Sequence, residues 1–357
     1  MNTPAPLTRY DIDRHALAEL LGDQPRYRID QVWTALYDNL ADPIEMTNLP
    51  KALRAQLDSR LPAALDVATM RTSIDNETVK WLWRLHDDAR IETVLMHYRD
   101  RSTVCISTQA GCAMACGFCA TGQGGFERHL SVGEMVEQVV RAEREARTVD
   151  RRVSNVVFMG MGEPFANYDR TIAALERIHD HLSISARQLT VSTVGIVPGI
   201  RNFGLERLPA NLAVSLHAAN DTLRDELVPI NRRYPLAQLA DACREYLGHR
   251  NRRLSFEWAM IDGVNDRPDD AFELATFARD LRAHVNLIPL NPTGGFATVG
   301  SPLSHVHAFR DDLVHLGVNA TVRRNRGTDI DAACGQLRAR EVAISPRRAA
   351  RVSGTAD

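Results

Sequence analysis

The chain has 357 residues, of which 44% are hydrophobic and 25% are charged, and its formal net charge at pH 7 is −2. That composition is ordinary for a globular protein, and no apolar run approaches the roughly 18 residues that a membrane-spanning helix needs. The N-terminus carries Asp11 and Asp13 instead of a basic-then-apolar signal pattern. The sequence therefore predicts a cytoplasmic protein with one large domain and a smaller one, and it argues against membrane and secreted classes.

The basic residues are almost all arginine, since Lys51 and Lys80 are the only lysines. Arginine binds phosphate through two parallel hydrogen bonds and stacks on bases, so this bias suits an RNA-binding protein. Codon bias in a GC-rich genome explains the same composition, and on composition alone that alternative is favoured.

The predicted elements begin with a helical accessory domain, residues 1–64. Apolar side chains at helical spacing predict helices over 11–21, 27–40 and 49–61. These residues leave open whether the domain docks RNA or only packs against its neighbours.

An antiparallel strand extension is predicted next, over residues 65–99. Its strands are predicted over 67–72, 78–85 and 91–98. Asp75-Asn76 and Asp87-Asp88 stand between these strands and predict turns, because Asp and Asn tolerate turn backbone conformations.

Strands and helices alternate from residue 100 to residue 337. Strands that are nearly continuous apolar runs are predicted over 102–108, 153–159, 188–193, 211–216, 254–261 and 285–290, with 318–323 as a seventh candidate. The helices include 168–181, 235–247, 270–283 and 303–316, and Ser131 with Glu134 predicts a capping box at the start of an earlier one. Buried strands that alternate with helices predict an α/β fold, in a full or partial (β/α) barrel. The tail, 338–357, is basic and then small and polar, and is predicted to be disordered.

Three of the six cysteines, Cys112, Cys116 and Cys119, stand in a CxxxCxxC spacing directly after the first predicted barrel strand. A tight cysteine cluster indicates metal binding or redox chemistry. A structural zinc ion has four protein ligands, commonly from two CxxC motifs, and this sequence has no second such motif. A [4Fe–4S] cluster held by three thiolates keeps one iron open for a small molecule, although zinc or a closed cluster with a distant ligand stays an alternative.

Five sequence runs together resemble the RlmN/Cfr family of the radical S-adenosylmethionine (SAM) superfamily, whose RlmN members are RNA adenine C2-methyltransferases. The runs are GCAMACGFCATGQGGFERHLSVGEMVEQV, FMGMGEPFAN, LTVSTVGIVPGI, VSLHAANDTLRDELVPIN and TDIDAACGQL. They occur in matching order over residues 81–337. The resemblance implies a partial (β/α)6-type radical SAM barrel over 100–337, which includes a C-terminal catalytic cysteine segment. It also implies a [4Fe–4S] cluster with one open iron on the three cysteines, and SAM as cofactor.

Polar or small residues recur at the ends of successive predicted strands. Taken singly, each is explained as well by a turn or a cap, but one ligand across the barrel mouth would touch all of them. The resemblance assigns SAM binding to Gly162, Glu163, Ser192, Ser215, Leu216, His217 and Asn291.

The other three cysteines divide into one core residue and one pair. Cys243 lies at apolar helical spacing and is predicted to be plain core. Cys105 lies in the first barrel strand and Cys334 in an irregular stretch beside Gly335; from the residues alone, core packing of Cys105 stays open. The resemblance makes both catalytic: Cys334 receives a methyl group from one SAM, a second SAM gives the radical that activates it, and Cys105 resolves the RNA adduct through a transient disulfide.

Glu92 matches the position that the family uses as proton acceptor, although from the sequence alone an exposed strand carboxylate is favoured. The resemblance implies 23S rRNA as substrate, at adenosine-2503 in family naming, and adenosine-37 of tRNA as a further candidate. It also implies an electron donor such as flavodoxin or ferredoxin, and the chain is expected to be a monomer. The alternatives are Cfr-like methylation of C8, a radical SAM enzyme of other chemistry, and a non-enzymatic metal-binding RNA module.

Overall fold

The computed structural model describes residues 7–249, 253–291, 293, 299–333 and 335–337. Cys334 and the predicted tail, 338–357, lie outside the described residues. Over the part that is described, no helix is both long enough and apolar enough to cross a membrane.

The described chain begins with three helices, α1 (Arg14–Leu21), α2 (Tyr27–Tyr37) and α3 (Lys51–Arg60). Each lies within a predicted helical range and is shorter than that range. The start of α1 is set by Asp13, whose side-chain oxygen accepts a hydrogen bond of 2.8 Å from the backbone N–H of Ala16.

Three antiparallel strands follow, β1 (Asp66–Thr72), β2 (Thr78–Arg84) and β3 (Arg90–His97). The turns between them contain Asn76 and Asp88 with φ of 56° and 62°, a left-handed conformation that Asn and Asp adopt more readily than most residues. The predicted strands and both predicted turns are confirmed.

The next strand, β4 (Ser102–Cys105), is shorter than the predicted strand over 102–108. Its continuation leaves the main sheet, because β5 (Gln109–Gly111) pairs with β6 (Phe126–His129) in a separate two-stranded antiparallel sheet. The hairpin was not predicted. It encloses the cysteine loop and the short helix α4 (Ala120–Gln123).

The remaining strands and helices form the main α/β unit. After α5 (Val132–Thr148) the strands are β7 (Val153–Phe158), β8 (Leu189–Thr193), β9 (Asn211–Ser215), β10 (Leu254–Met260), β11 (His284–Pro289) and β12 (Ala320–Val322). The helices between them are α6 (Tyr168–His181), α7 (Val197–Leu205), α8 (Asp221–Leu227), α9 (Leu236–His249), α10 (Pro268–Asp280) and α11 (Leu303–His315).

One ten-stranded sheet contains all of the strands except β5 and β6, in the order β1-β2-β3-β4-β7-β8-β9-β10-β11-β12. The pairs from β4 onward are parallel, and β1 to β4 are antiparallel. Among the described residues β1 and β12 do not pair with each other, so the sheet stays open. The predicted α/β class with a mostly parallel sheet is confirmed.

Helix α5 begins at the predicted capping box and organises the first strands. The Ser131 hydroxyl accepts from the Glu134 backbone N–H at 3.1 Å, and the Glu134 carboxylate accepts from the Ser131 N–H at 2.8 Å. Further along α5 the buried amide of Gln138 hydrogen-bonds both the backbone N–H and the carbonyl of Ser107, at 2.8 and 3.0 Å. The chain between β4 and the cysteine loop is thereby fixed against α5.

Candidate active site

The cysteine loop lies at the carboxyl ends of the parallel strands, where barrel folds place their chemistry. Cys116 is buried, whereas Cys112 and Cys119 are half-buried, and all three are free thiols. Burial raises the pKa of the Cys112 thiol to about 12 and also raises that of Cys116. Without a metal the sulfurs of Cys112 and Cys116 hold their protons, and a soft metal centre is the partner that would stabilise them as thiolates.

The spread of the three sulfurs argues against a single tetrahedral ion. Within the described ranges, the one group of three metal-ligating atoms that lie within 4.8 Å of each other is Asp262, Asp266 and His305, outside the cysteine loop. Four ligands around one zinc would bring the sulfurs closer than that, because each Zn–S bond is only about 2.3 Å long. A larger multi-iron centre fits the spread better.

The backbone of the loop is tightly folded. A Cβ atom at Gly122 would lie 2.9 Å from the carbonyl oxygen of Cys116, so no side chain fits there. Gly111 has a φ of 73°, and a Cβ on it would lie 2.0 Å from the Gly125 carbonyl oxygen, across the β5–β6 hairpin. The two glycines let the hairpin close around the cysteines.

A cavity, which we call the cysteine-loop cavity, opens between these cysteines and the strand ends. All three cysteines line it, and so do six of the seven residues predicted to bind SAM: Gly162, Glu163, Ser192, Ser215, His217 and Asn291. Leu216 does not line the cavity; its side chain is fully buried, and its backbone N–H donates to the Glu257 carbonyl at 3.0 Å. The recurrence of polar residues at strand ends is thus explained by their meeting at one cavity.

Glu163 is the buried carboxylate of this cavity. Its two oxygens accept hydrogen bonds from the backbone N–H groups of Phe165 and Val194, at 3.0 and 2.9 Å. Burial raises the pKa of its carboxyl group to about 7. Gly162, which precedes it, has a φ of 101° and lies against Gln109, where a Cβ would come within 2.5 Å of the Gln109 Cβ. The carboxylate is therefore held in place by backbone contacts and is ready to receive a cationic ligand.

His217 also lines this cavity. Its φ is 61°, and its Nδ1 accepts a hydrogen bond of 3.0 Å from the backbone N–H of Ala259. The ring meets that of Phe118, in the cysteine loop, edge to face at a centroid distance of 4.7 Å. Burial, together with the nearby charge of Arg224, lowers the pKa of the imidazole to about 3, so the ring is neutral at physiological pH.

A second cavity adjoins the first, and we call it the Cys105 cavity. Cys105 lines it together with Ala333 and Gly335, the chain neighbours of Cys334, which itself lies outside the described residues. Both cavities are lined by Cys119, Thr121, Met159, Gly160, Arg323 and Gly335. Residues separated by more than two hundred positions in the sequence therefore meet beside the cysteine loop.

The C-terminal segment, residues 323–333 and 335–337, is tied directly to the helix that follows the cysteines. The backbone N–H of Ala120 donates to the Gly335 carbonyl at 2.9 Å, and the Thr121 hydroxyl donates to the Leu337 carbonyl at 2.8 Å. Arg323 and Arg324 of this segment line the Cys105 cavity. Arg232 and Arg233, just after α8, line neither cavity, and Arg250 and Arg252 are outside the described residues.

Glu92 is buried, with 1% of its surface exposed, so the interpretation as an exposed strand carboxylate is wrong. The reason is an ion pair: its Oε2 lies 3.1 Å from Nζ of the buried Lys80. Its backbone carbonyl accepts a hydrogen bond of 2.6 Å from the Ser107 hydroxyl.

Cys243, in contrast, is fully buried in the core as predicted.

Comparison with known proteins identifies the family. The model of the Radical SAM superfamily matches residues 106–275. The chain is 49% identical over 347 residues to a probable dual-specificity RNA methyltransferase RlmN of Chloroflexus aurantiacus, covering 93% of this chain and 92% of that protein. It is 51% identical over 345 residues to a protein of the same name from a Parafrankia species, covering 92% and 89%. The chain belongs to the RlmN family.

The likeness to the RlmN family extends to the fold. A crystal structure of a radical SAM methyltransferase from Sphaerobacter thermophilus superposes with a TM-score of 0.91 at 49% identity, covering 94% of this chain and all of that one. The open α/β sheet, its antiparallel extension and the preceding helices are thus shared over nearly the whole described chain.

Two buried charged residues of the site were missed by the sequence analysis. Arg224 of α8 is fully buried and donates to the carbonyls of Val194 and Leu216, at 2.7 and 3.1 Å, behind the strand ends. Lys80 of β2 is the partner of Glu92. Arg224 lies within one of the quoted family runs, but on a short helix rich in charge it looks like a solvent-facing residue. The sequence feature that could have drawn attention to Lys80 is the rarity of lysine, since the chain has only two.

Proposed function

We propose that this member of the RlmN family is a radical SAM methyltransferase that methylates C2 of an adenosine in 23S rRNA, adenosine-2503 in family naming, and also adenosine-37 of tRNA. The observation that carries the proposal is the contact between the two cavities. The cysteine-loop cavity holds three thiols and a ring of polar strand ends, and the Cys105 cavity beside it holds Cys105 and the neighbours of Cys334.

The residues of the cysteine-loop cavity fit a [4Fe–4S] cluster and SAM. Cys112, Cys116 and Cys119 would hold three irons and leave the fourth for SAM. A cluster bound there would supply the electron for splitting SAM into methionine and a 5′-deoxyadenosyl radical. Glu163 would bind the ammonium group of SAM through its fixed carboxylate.

The remaining contacts to SAM would come from residues at the strand ends that line the same cavity. Ser192, Ser215 and Asn291 offer hydroxyl and amide groups to the sugar and base, and His217 offers a neutral ring. Leu216 would contribute through its backbone alone, because its side chain points into the core.

Adenine C2 lies between two ring nitrogens and is electron-poor, so it does not attack the SAM methyl group directly. Cys334 would first displace the methyl group from one SAM as a thiolate nucleophile, releasing S-adenosylhomocysteine. The radical from a second SAM would then remove a hydrogen atom from that methyl group, releasing 5′-deoxyadenosine, and the resulting carbon radical would add to C2. Loss of the C2 proton, and of the unpaired electron to an oxidised one-electron carrier, would leave a closed-shell adduct in which a methylene group bridges the Cys334 sulfur and the RNA.

Cys105 would resolve this adduct. Its sulfur bonds to that of Cys334, the C–S bond to the methylene group breaks, and the methylene carbon takes a proton to become the methyl group. Glu92 would accept the proton that leaves C2. Cys105 would attack as the thiolate, so its thiol proton must leave first.

The partners follow from the same proposal. The RNA backbone would be held by arginines, of which Arg323 and Arg324 stand at the Cys105 cavity. A small electron carrier such as flavodoxin or ferredoxin would reduce the cluster and the disulfide, and the enzyme would act in the cytoplasm as a monomer. We keep the divisions 1–64, 65–99 and 100–337 as proposed domains, and assign the first no role beyond packing or RNA docking.

Product analysis tests the function. Reconstituted protein is incubated with SAM, a reductant and either 23S rRNA or tRNA that lacks the modification, and the nucleosides are then separated by mass spectrometry. We expect 2-methyladenosine from both RNAs. Formation of 8-methyladenosine would overturn the C2 assignment, and modification that persists in Cys334→Ala would overturn the methyl-cysteine route.

A further inference from the structure

Lys80 is a buried lysine with two partners from distant parts of the chain. It lies on β2 with 7% of its surface exposed. Its Nζ is 3.1 Å from Oε2 of Glu92 and donates a hydrogen bond of 2.9 Å to the backbone carbonyl of Asp331. A buried ammonium is unfavourable unless it is paired and hydrogen-bonded, so these two contacts explain how it is accommodated.

The strand register places Lys80 on the face of the sheet that carries Cys105. Lys80 pairs with Val94 across β2 and β3, and Val94 pairs with Cys105 across β3 and β4. Glu92 lies two residues from Val94 and therefore on the same face. The lysine and Cys105 are thus two strand spacings apart, roughly 10 Å, in one row.

The second partner of Lys80 belongs to the turn that leads to Cys334. Asp331 has a φ of 54°, in the left-handed region, directly after the short 3₁₀ turn Thr328–Ile330. Gly327, at the start of that turn, is packed so closely against β2 that a Cβ would lie 2.9 Å from Cγ2 of Thr78. The turn also receives a hydrogen bond of 2.9 Å from the Ile74 N–H to the Asp329 carboxylate. The turn is therefore held by several contacts, and the contact made by Lys80 also links the turn to Glu92.

We propose that Lys80 is a positioning residue of the methylation reaction: its ammonium keeps Glu92 in the carboxylate form and holds the turn before Cys334 beside Cys105. The inference rests on the proposed function, because it assigns a purpose to Glu92 and Cys334. Positive charge at hydrogen-bond distance favours the charged form of a carboxylate, which is the form that accepts a proton. The hydrogen bond to the Asp331 carbonyl makes the position of the turn depend on the same side chain.

The proposal separates two sets of steps. Lys80 lines neither cavity and contacts Glu92 and the Asp331 carbonyl, so reactions confined to the cysteine-loop cavity, such as SAM cleavage, would not use it. Steps that need Glu92 and the turn do use it. A merely structural lysine would affect both sets alike, since its loss would disturb the fold as a whole.

The test uses full-length reconstituted protein with Lys80→Met, Lys80→Gln and Lys80→Arg. Lys51→Met is the matched control, because Lys51 is the only other lysine and is exposed at the start of α3. Three quantities are measured with 23S rRNA as substrate: kcat and KM for methylation, the 5′-deoxyadenosine released per methylated adenosine, and the fraction of Cys334 that carries a methyl group by peptide mass spectrometry.

For Lys80→Met we expect kcat to fall by roughly tenfold or more, with KM nearly unchanged; this is less than the roughly hundredfold or larger contribution of a general base, because Glu92 itself remains. The 5′-deoxyadenosine released per product should rise by a similar factor, because radical formation continues while product formation slows. Lys80→Arg should restore most of kcat, since it keeps the charge and the donors, and Lys51→Met should match the unmodified chain.

Two results would overturn the inference. One is a kcat of Lys80→Met within twofold of the unmodified chain. The other is a parallel loss of 5′-deoxyadenosine and product with no rescue in Lys80→Arg, which indicates a structural role. If Lys80→Met does not fold, the same comparison is made with Lys80→Gln, which keeps a hydrogen-bond donor without the charge. Failure of the proposed function itself is distinguishable, because the unmodified chain would then form no 2-methyladenosine.

Discussion

The cysteine-loop cavity and the Cys105 cavity share a wall but are built differently. The first is assembled from the ends of successive parallel strands, and its carboxylate, Glu163, is held by backbone N–H groups. The second is assembled from β3, β4 and a segment more than two hundred positions later, which is joined to β2 by the side chain of Lys80 and to α4 by that of Thr121. Under the proposed function, radical formation would take place beside groups held by backbone hydrogen bonds, and the sulfur chemistry at an interface between distant parts of the chain.

This difference teaches that the two functions should be separable by mutation. A change in the cysteine-loop cavity should abolish radical formation and every step that depends on it, because the RNA adduct forms only after the radical has acted on the methyl group of Cys334. A change in the Cys105 cavity should leave radical formation intact and stop the reaction further on.

The largest effect is expected for Cys112→Ala. Loss of one thiolate ligand should prevent stable cluster assembly, so that iron binding falls and 5′-deoxyadenosine formation is abolished. Iron content and 5′-deoxyadenosine are measured after anaerobic reconstitution. Cys243→Ala is the matched control, because this cysteine is buried in the core, and it should retain both. Continued 5′-deoxyadenosine formation in Cys112→Ala would show that Cys112 is not a ligand.

The next effect is expected for Cys105→Ala, which acts on the other cavity. 5′-Deoxyadenosine formation should persist, but methylated RNA should be nearly absent, and a covalent protein–RNA adduct through Cys334 should accumulate because no sulfur resolves it. The adduct is detected as a shifted band that nuclease digestion converts to a nucleotide-bearing Cys334 peptide. If only free RNA is found, the resolving role of Cys105 is wrong.

A smaller effect is expected for Glu163→Gln, which sharpens the account of the first cavity. The neutral amide cannot form an ion pair with the ammonium group of SAM. Its NH₂ group must also face one of the two backbone N–H groups that donate to the carboxylate in the unmodified chain. The dissociation constant for SAM should rise by roughly tenfold to a hundredfold. Glu127→Gln, an exposed carboxylate on the nearby hairpin, is the control and should bind SAM normally. Unchanged affinity in Glu163→Gln would remove this residue from the SAM site.

The same contrast explains how much of the site could be predicted from sequence. The capping box at Ser131 and the helix Tyr168–His181 depend on residues a few positions apart; the position of the first and both ends of the second were predicted correctly. The β5–β6 hairpin was missed, because its strands have only three and four residues and are specified by pairing with each other. The burial of Glu92 could not be predicted, since it depends on Lys80, which in turn bonds the carbonyl of Asp331, 251 positions away.

The smallest effect is expected from the buried imidazole of His217, in the wall of the first cavity. Its folded-state pKa of about 3 lies below the usual value near 6.5, so between these values the unfolded chain binds more protons than the folded one. Stability should therefore be lost as pH falls from about 6.5 toward 3, and at pH 5.0 this group alone should cost about 2 kcal/mol relative to pH 7.5.

His217→Asn tests this expectation. Asn keeps an acceptor for the Ala259 N–H and tolerates the left-handed backbone at this position. The free energy of unfolding in urea is measured at both pH values for metal-free protein. The variant should be less stable throughout but should lose less stability on acidification than the unmodified chain, whereas the exposed control His307→Asn should not differ from it. If His217→Asn and the unmodified chain lose the same free energy of unfolding on acidification, the first cavity must rearrange to accommodate a charged ring. The first cavity would then be no more rigid than the Cys105 cavity.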